Sequence, residues 1–505
     1  TDNDIVLGDN GYVTWDTAGV IASFGSTQLD QGGDDLIDVG DGANIVVGGD
    51  GNDTITTGTG SDVVLGDNGA ATYSNVGGVA VLTNVQTTDT TAATGGDDTI
   101  IAGIGDNVVL AGMGADTVTT GTDNDIVLGD NGYVTWDTAG LITQVVSTQP
   151  GLGGNDMILV GDGTNVVVGG FGGDTITTGT GSDIVIGDNG MIDATGGAGM
   201  VISTIDTVNA TGGNDIISTG DGINLVLAGV GSDFVLAGSG TDVVVGDNGS
   251  MTLDATGAVV FVTSTDPLLG GSDAISTGNG NDVSIGGAQG DIVTSSGGND
   301  ILFGDGGSVA YAAGGSDITI LSVDPMFGGD DTLNGGTGTD ILIGGQGSDL
   351  LYGTLSEDLL FGSNASVTMS GWRVTSMQSD VYDLVTESMF DQFGSGKGKG
   401  TKLAPGVRGN LPTGLIEISD DLSAPTRGHS PLDASAFRTI FNLGGHGQEG
   451  NLRDPSPFDT LGKSESITLV PASSSDPLTD GTGESDSDGQ GAGDGATPQA
   501  AWHDG

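Results

Sequence analysis

Apolar residues in this chain recur in short bursts nine positions apart, and the bursts are of two kinds. One kind is aliphatic throughout, as in Ile45-Val46-Val47 and Val63-Val64-Leu65; the other alternates, as in Thr54-Ile55-Thr56, Thr117-Val118-Thr119 and Thr175-Ile176-Thr177. Alternation predicts a strand with one buried face. An unbroken aliphatic triplet predicts a strand buried on both faces. The two kinds take turns along the chain, so the pattern predicts two sheets, one half-buried and the other covered on both sides. Between bursts stand glycine-rich hexads such as Gly48-Gly49-Asp50-Gly51-Asn52-Asp53, whose glycines permit tight turns with positive φ.

A carboxylate or its amide closes almost every hexad. The frame runs from Asp4 to Asp358. Its sixth positions are Asp35, Asn44, Asp53 and Asp62, then Asp98, Asn107, Asp116 and Asp125, then Asp156, Asn165, Asp174 and Asp183, then Asp215, Asn224, Asp233 and Asp242. Two further blocks read Asp273, Asp282, Asp291, Asp300 and Asp331, Asp340, Asp349, Asp358. Carboxylates beside close-approaching backbone carbonyls are the donor set of a hard cation, calcium above all.

These hexads and the apolar residue that follows two places later resemble the hemolysin-type, or RTX, repeat GGxGxDxUx, in which U is a large apolar residue. The likeness covers most of residues 1–362. It implies an all-β chain, a parallel β-roll or β-helix solenoid, holding several calcium ions through the aspartates named above, with turn carbonyls completing each shell. Asp53, Asp62, Asp116, Asp125, Asp174 and Asp183 are the foremost candidates. The resemblance also implies a secreted protein that meets calcium outside the cell.

A larger unit overlies the nonapeptide. Thr1 to Gly19 returns unchanged at Thr122 to Gly140, and GDNG strings begin at Gly8, Gly66, Gly129, Gly187 and Gly246, with GDGG at Gly304. Each block of roughly sixty residues holds four nonapeptides and one insertion. The insertions read as β-hairpins: Tyr12 to Trp15 with Val20 to Phe24, Ala71 to Ser74 with Val79 to Val85, Met251 to Leu253 with Val259 to Thr263, and Val309 to Ala312 with Ile318 to Val323. Strands pack ~4.8 Å apart, so two turns of the roll advance as far as one hairpin is wide. The hairpins are therefore expected to stack as a lateral sheet over the doubly buried strands.

In a two-sheet roll the turns alternate between two edges, so Asn44, Asn107, Asn165 and Asn224 fall on one edge. Asparagine keeps an oxygen ligand and loses the charge. Sites there should bind calcium more weakly, and the amides also relieve repulsion among crowded carboxylates.

Charge sharpens this picture. The chain has 68 Asp plus Glu against 9 Lys plus Arg, a net charge of -59, with 99 Gly and no Cys. Every Lys and Arg lies at or beyond Arg373, so the repeats have no basic partner of their own. Self-repulsion of that size opposes compaction, and the expectation is a chain that folds only as calcium binds. The absence of a basic patch in the repeats argues against nucleic acid. No apolar run reaches spanning length, and no disulfide can form. Thr1 starts inside a repeat without a secretory signal, the expectation for a processed product or a fragment.

The roll is expected to end after Leu359-Leu360-Phe361. Residues 363–393, with Trp372, Val381 to Val385 and Met389 to Phe393, form a candidate cap. Residues 394–505 read as a Gly, Pro, Ser and Asp-rich tail, the place where a carboxy-terminal secretion signal would sit. Catalytic signatures are lacking: there is no Cys and no HExxH, and His429, His446 and His503 all fall in the tail. The expected function is a structural extracellular one, as adhesin stalk, surface fibre or matrix component, with self-association into a fibre and a cell-surface or matrix partner. Two alternatives are a folding and secretion module of an exported enzyme or toxin, and an ice-binding segment suggested by Thr54, Thr56, Thr57 and Thr59.

Overall fold

The computed structural model describes residues 3–197, 199–312, 317–354, 358–371 and 373–379. Val381 to Val385, Met389 to Phe393, Trp372 and the tail lie outside the described residues.

Two parallel sheets form the roll. The aliphatic triplets build a 13-stranded core sheet, from Ile5–Leu7 to Leu359–Phe361. The alternating triplets build a 12-stranded outer sheet, from Leu36–Gly40 to Leu350–Tyr352. Successive coils stack in register: Ile45 pairs with Val63, Val63 with Val108 and Val108 with Ile126, while Thr54 pairs with Thr99 and Thr99 with Thr117. Strands of three residues suffice because each is hydrogen-bonded on both sides and the glycine turns reverse the chain at once.

The triplet code explains burial. In each core-sheet triplet the middle residue, such as Val46, Val64 or Val109, points into the roll and meets Ile55, Ile100 or Val118 of the outer sheet. Its neighbours, such as Ile45, Val47, Val108 and Leu110, point the other way into a second apolar layer. The outer sheet covers its middle residues and leaves the flanking ones partly or fully exposed.

The second layer is closed by a 14-stranded antiparallel sheet made of the hairpins. Each insertion folds into a hairpin, as in Gly69–Val76 with Val79–Thr87, and pairs with the next, as Tyr133 does with Gln86. Phe24, Val85, Val134, Trp136, Ile142, Met251 and Ile320 face the core sheet from it. The expected lateral sheet is thus present over the strands buried on both faces. One hairpin was not foreseen: Ala365–Ser370 pairs with Arg373–Ser379 and with Asp317–Ser322, extending the sheet into the segment expected to be a cap. Its signal was the alternation of Val367 and Met369, then Val374 and Met377, around Ser370-Gly371.

Candidate metal centre

Every coil turns twice, and the two edges have different residents. At the first edge the chain leaves the core sheet for the outer sheet; at the second it returns. The hairpins leave from alternate first-edge turns, at the GDNG strings. Each sixth-position side chain reaches back to the coil before it. Its Oδ1 accepts the main-chain N–H of the preceding sixth residue, which makes one ladder per edge.

Along the first edge, Asp35 N–H donates to Asp53, Asp53 to Asp98, Asp98 to Asp116 and Asp116 to Asp156, at 2.7–2.8 Å. The same links join Asp156 to Asp174, Asp174 to Asp215, Asp215 to Asp233, Asp233 to Asp273, Asp273 to Asp291, Asp291 to Asp331 and Asp331 to Asp349. Along the second edge the ladder runs from Asp4 through Asn44, Asp62, Asn107, Asp125, Asn165, Asp183, Asn224, Asp242, Asp282, Asp300 and Asp340 to Asp358. Asp4, at the exposed end, contributes its N–H to this ladder.

The ladder uses one carboxylate oxygen and leaves the other. On the first edge Oδ2 of Asp35, Asp53, Asp98, Asp116, Asp156, Asp174, Asp215, Asp233, Asp273, Asp291, Asp331 and Asp349 is buried without a hydrogen-bond partner. Such an orphaned, charged oxygen is costly unless something cationic meets it. At most of these sites it faces a gap beside a glycine Cα. A Cβ on Gly48 would collide with Asp53 Oδ2 and the Gly66 carbonyl oxygen, and one on Gly169 would collide with Asp174 Oδ2 and the Gly187 carbonyl oxygen. Here the glycine is required by space alone; the positive φ falls on the next residue, Gly49 or Gly170. A carboxylate from one coil and a carbonyl from the next therefore converge on one small cradle.

Burial sets the electrostatics. It pushes the Asp98 carboxyl up to about 8, Asp53 and Asp156 to about 7, Asp291 to about 10 and Asp273 to about 11, the charges of neighbouring aspartates adding to the effect. Asp116, Asp174 and Asp215 are raised for the same reason. On the second edge burial raises Asp125, Asp282 and Asp340 to about 8.

In the sequence the GDNG strings stand out only as block markers. Their aspartates prove to belong to the first edge. Asp67 takes N–H bonds from Gly96 and Met113, which tie the chain down as it returns from the hairpin. Asp130, Asp188, Asp247 and Asp305 do the same in later blocks. Burial, with Asp98 and Asp116 beside it, pushes Asp67 up to about 11. The signal was their invariant place one residue into the string that opens each insertion.

Among the described residues no three acidic, histidine or cysteine side chains gather as a metal-holding group. The donors that do converge are one carboxylate and main-chain carbonyls, an all-oxygen set that fits calcium. First-edge aspartates would hold it with the turn carbonyls, and its chemistry there would be neutralisation of buried charge across neighbouring coils.

Comparison with known families agrees with this geometry. The RTX calcium-binding nonapeptide repeat (4 copies) matches residues 31–64, 38–72, 92–132, 159–190, 203–235, 218–250, 270–308 and 327–363. No curated protein matches the chain. Stacked in-register coils, carboxylate-ended glycine turns and repeated matches along the roll make this chain an RTX calcium-binding repeat protein.

Proposed function

We propose that the chain is a structural extracellular calcium-binding protein, serving as an adhesin stalk, surface fibre or matrix component, which folds and stiffens as calcium binds. The observation that carries this reading is the row of buried, unpartnered carboxylate oxygens along a roll whose first 372 residues contain no Lys or Arg. Folding free energy must then be drawn from a cation supplied by the medium. Where calcium is scarce the chain stays unfolded; where it is millimolar the coils close. No helix among the described residues is long and apolar enough to cross a membrane. We read the chain as non-catalytic, its buried carboxylates being placed as ligands in ladders.

Self-association into a fibre is part of the proposal. The outer sheet presents exposed Met157, Leu159, Ile216, Phe234, Leu236 and Ile292 among its threonines. Those aliphatic and aromatic residues interrupt the threonine rank that ice binding would use. The test is circular dichroism with light scattering while calcium is titrated into the chelated protein. A cooperative gain of β signal, followed by scattering, is expected. A β signal indifferent to chelation would refute the calcium-driven fold.

A further inference from the structure

Both edges of the roll carry the same hexad frame, yet only one is built with open cradles. On the first edge the hexad begins with glycine at Gly8, Gly48, Gly66, Gly129, Gly169, Gly187, Gly246, Gly286, Gly304 and Gly344. At each of these an added Cβ would strike the Oδ2 of the site's own aspartate. Ala111 and Ala228 are the exceptions, opening the hexads that end in Asp116 and Asp233.

On the second edge the corresponding position is a side chain from Val39 through Ser295. It is occupied by Thr57, Ala102, Thr120, Val160, Thr178, Thr219, Ala237 and Thr277 in between, all buried. Where the first edge has a cradle, the second has a plug. Two plugs also satisfy the carboxylate: Thr178 Oγ1 donates to Asp183 Oδ2 at 2.7 Å and Ser295 Oγ to Asp300 Oδ2 at 2.6 Å. Asp62, Asp125, Asp242 and Asp282 keep one oxygen without a hydrogen-bond partner there.

At the four asparagine turns of this edge the turn carbonyls are occupied as well. Asn44 Nδ2 donates to the Gly40 and Gly42 carbonyls at 3.1 Å, and Asn107 Nδ2 to those of Gly103 and Gly105 at 2.9 and 2.8 Å. Asn165 and Asn224 bond Gly161 and Gly220 in the same way, at 3.0 Å. Asn107 and Asn224 also donate to the Oδ1 of Asp125 and Asp242. An amide NH2 thus sits where a cation would and bonds the oxygens that would ligate it. Only at Gly335 and Gly353 does the second edge return to an open glycine, opposite Asp340 and Asp358.

We infer that calcium is taken along one edge only: the glycine-cradled first edge binds the ions, while the second edge, from Asn44 to Asp300, is a metal-free seam closed by asparagine amides and Thr, Ser, Ala and Val side chains. This rests on the calcium reading above. It gives the roll an asymmetric response, with one edge locked by ions and the other already stitched by hydrogen bonds.

The test compares two triple variants of the full chain by equilibrium dialysis with calcium and by the calcium midpoint of folding. Asparagine is used in both because it keeps the Oδ1 that the ladder needs. In the second-edge variant, Asp62→Asn, Asp125→Asn and Asp183→Asn, the number of bound ions should be unchanged and the midpoint should stay within about twofold. In the first-edge variant, Asp53→Asn, Asp98→Asn and Asp174→Asn, ions should be lost and the midpoint should rise several-fold. Equal loss from both variants would overturn the one-edge assignment and leave calcium-driven folding intact. Folding of the parent chain without calcium at neutral or alkaline pH would instead sink the underlying reading. A gain variant guards against misfolding: Ala102→Gly with Asn107→Asp opens a cradle on the second edge and should add bound calcium. No added ion there would count against the cradle argument.

Discussion

Between the core and outer sheets runs a single file of side chains, aliphatic as with Val46 opposite Ile55 and broken in the core sheet by the buried Ser284. Between the core sheet and the hairpins each core strand contributes two, and these meet Phe24, Trp136, Met251 and Tyr311. The roll interior is narrow because both its edges are turns lined with carboxylates; it has room for β-branched residues and leucine and little else. The hairpin layer has no such limit and takes the aromatics. With burial contributing ~25 cal/mol per Å² of apolar surface, the layer with larger and more numerous side chains supplies more of the apolar stabilisation. On the proposed reading the interior depends on calcium to hold its first edge, and the hairpins depend on the roll for a surface to cover.

The largest effect expected is that of chelation at neutral pH, which should abolish both layers together, followed by hydrogen exchange at the amides of Val127 in the roll and Val145 in the hairpins. Protected hairpin amides in a chelated, unfolded roll would break the comparison by making the hairpin sheet independent. The pH dependence has a definite sign. Asp98, Asp125 and Asp331 have folded values of about 8 against 3.8 for a free carboxyl, so the metal-free fold binds more protons than the unfolded chain. Its stability is therefore greatest below the free-carboxyl value and is lost as pH rises through about 8. In chelator the β signal should be strongest in acid and absent at alkaline pH. The reverse trend would remove the buried carboxylates as the reason for calcium dependence.

Next in size is excision of one hairpin, Gly249–Ser264, with a short glycine bridge in its place. Val243 and Val245 lose their cover, and their exposed surface should drive association, seen as higher mass in sedimentation. A monomeric, fully stable product would mean the hairpins are dispensable.

Neighbouring residues on one strand give a finer comparison. Phe303 faces the hairpins and Leu302 faces the roll interior. Phe303→Ala should cost ~3–5 kcal/mol and Leu302→Ala ~2–5 kcal/mol in urea unfolding at fixed calcium, the former at least as large. The opposite order would place the tighter packing inside the roll. The smallest effect belongs to the open face of the outer sheet: Phe234, 48 % exposed, should tolerate Phe234→Thr within ~0.5 kcal/mol while reducing any association through that face.

Much of this could be read from residue order. Thr54-Ile55-Thr56 and Val63-Val64-Leu65 announce different numbers of buried faces because side chains alternate along a strand, and a period of nine with glycine turns leaves few ways to wind. The match between hairpin width and coil pitch is a matter of strand spacing, and so it was available from the sequence too. The sixth-position aspartates were legible because the motif itself marks them. Asp67 and its counterparts were not, since their partners Gly96 and Met113 lie 29 and 46 residues away and meet them only after the hairpin has folded back. The hairpin Ala365–Ser379 was missed because no glycine hexad follows it to mark an insertion.

What the sequence determined by itself is the local code: which residues form strands, where the chain turns, and that the acidic repeats contain no Lys or Arg of their own. What only the tertiary structure decided is the company each residue keeps. Thr1 to Gly19 and Thr122 to Gly140 are the same nineteen residues, yet Trp15 is 63 % exposed and Trp136 only 6 %. Trp136 lies on a strand paired on both sides, whereas Trp15 lies on the strand that opens the hairpin sheet. The two edges of the roll differ likewise. Asn107 Nδ2 bonds two glycine carbonyls of its own turn, while Asp53 aims a free oxygen at the space beside Gly48, and that contrast exists only once successive coils are stacked. In a solenoid each unit has the same internal chemistry, and its burial, charge state and ligands come from the units next to it.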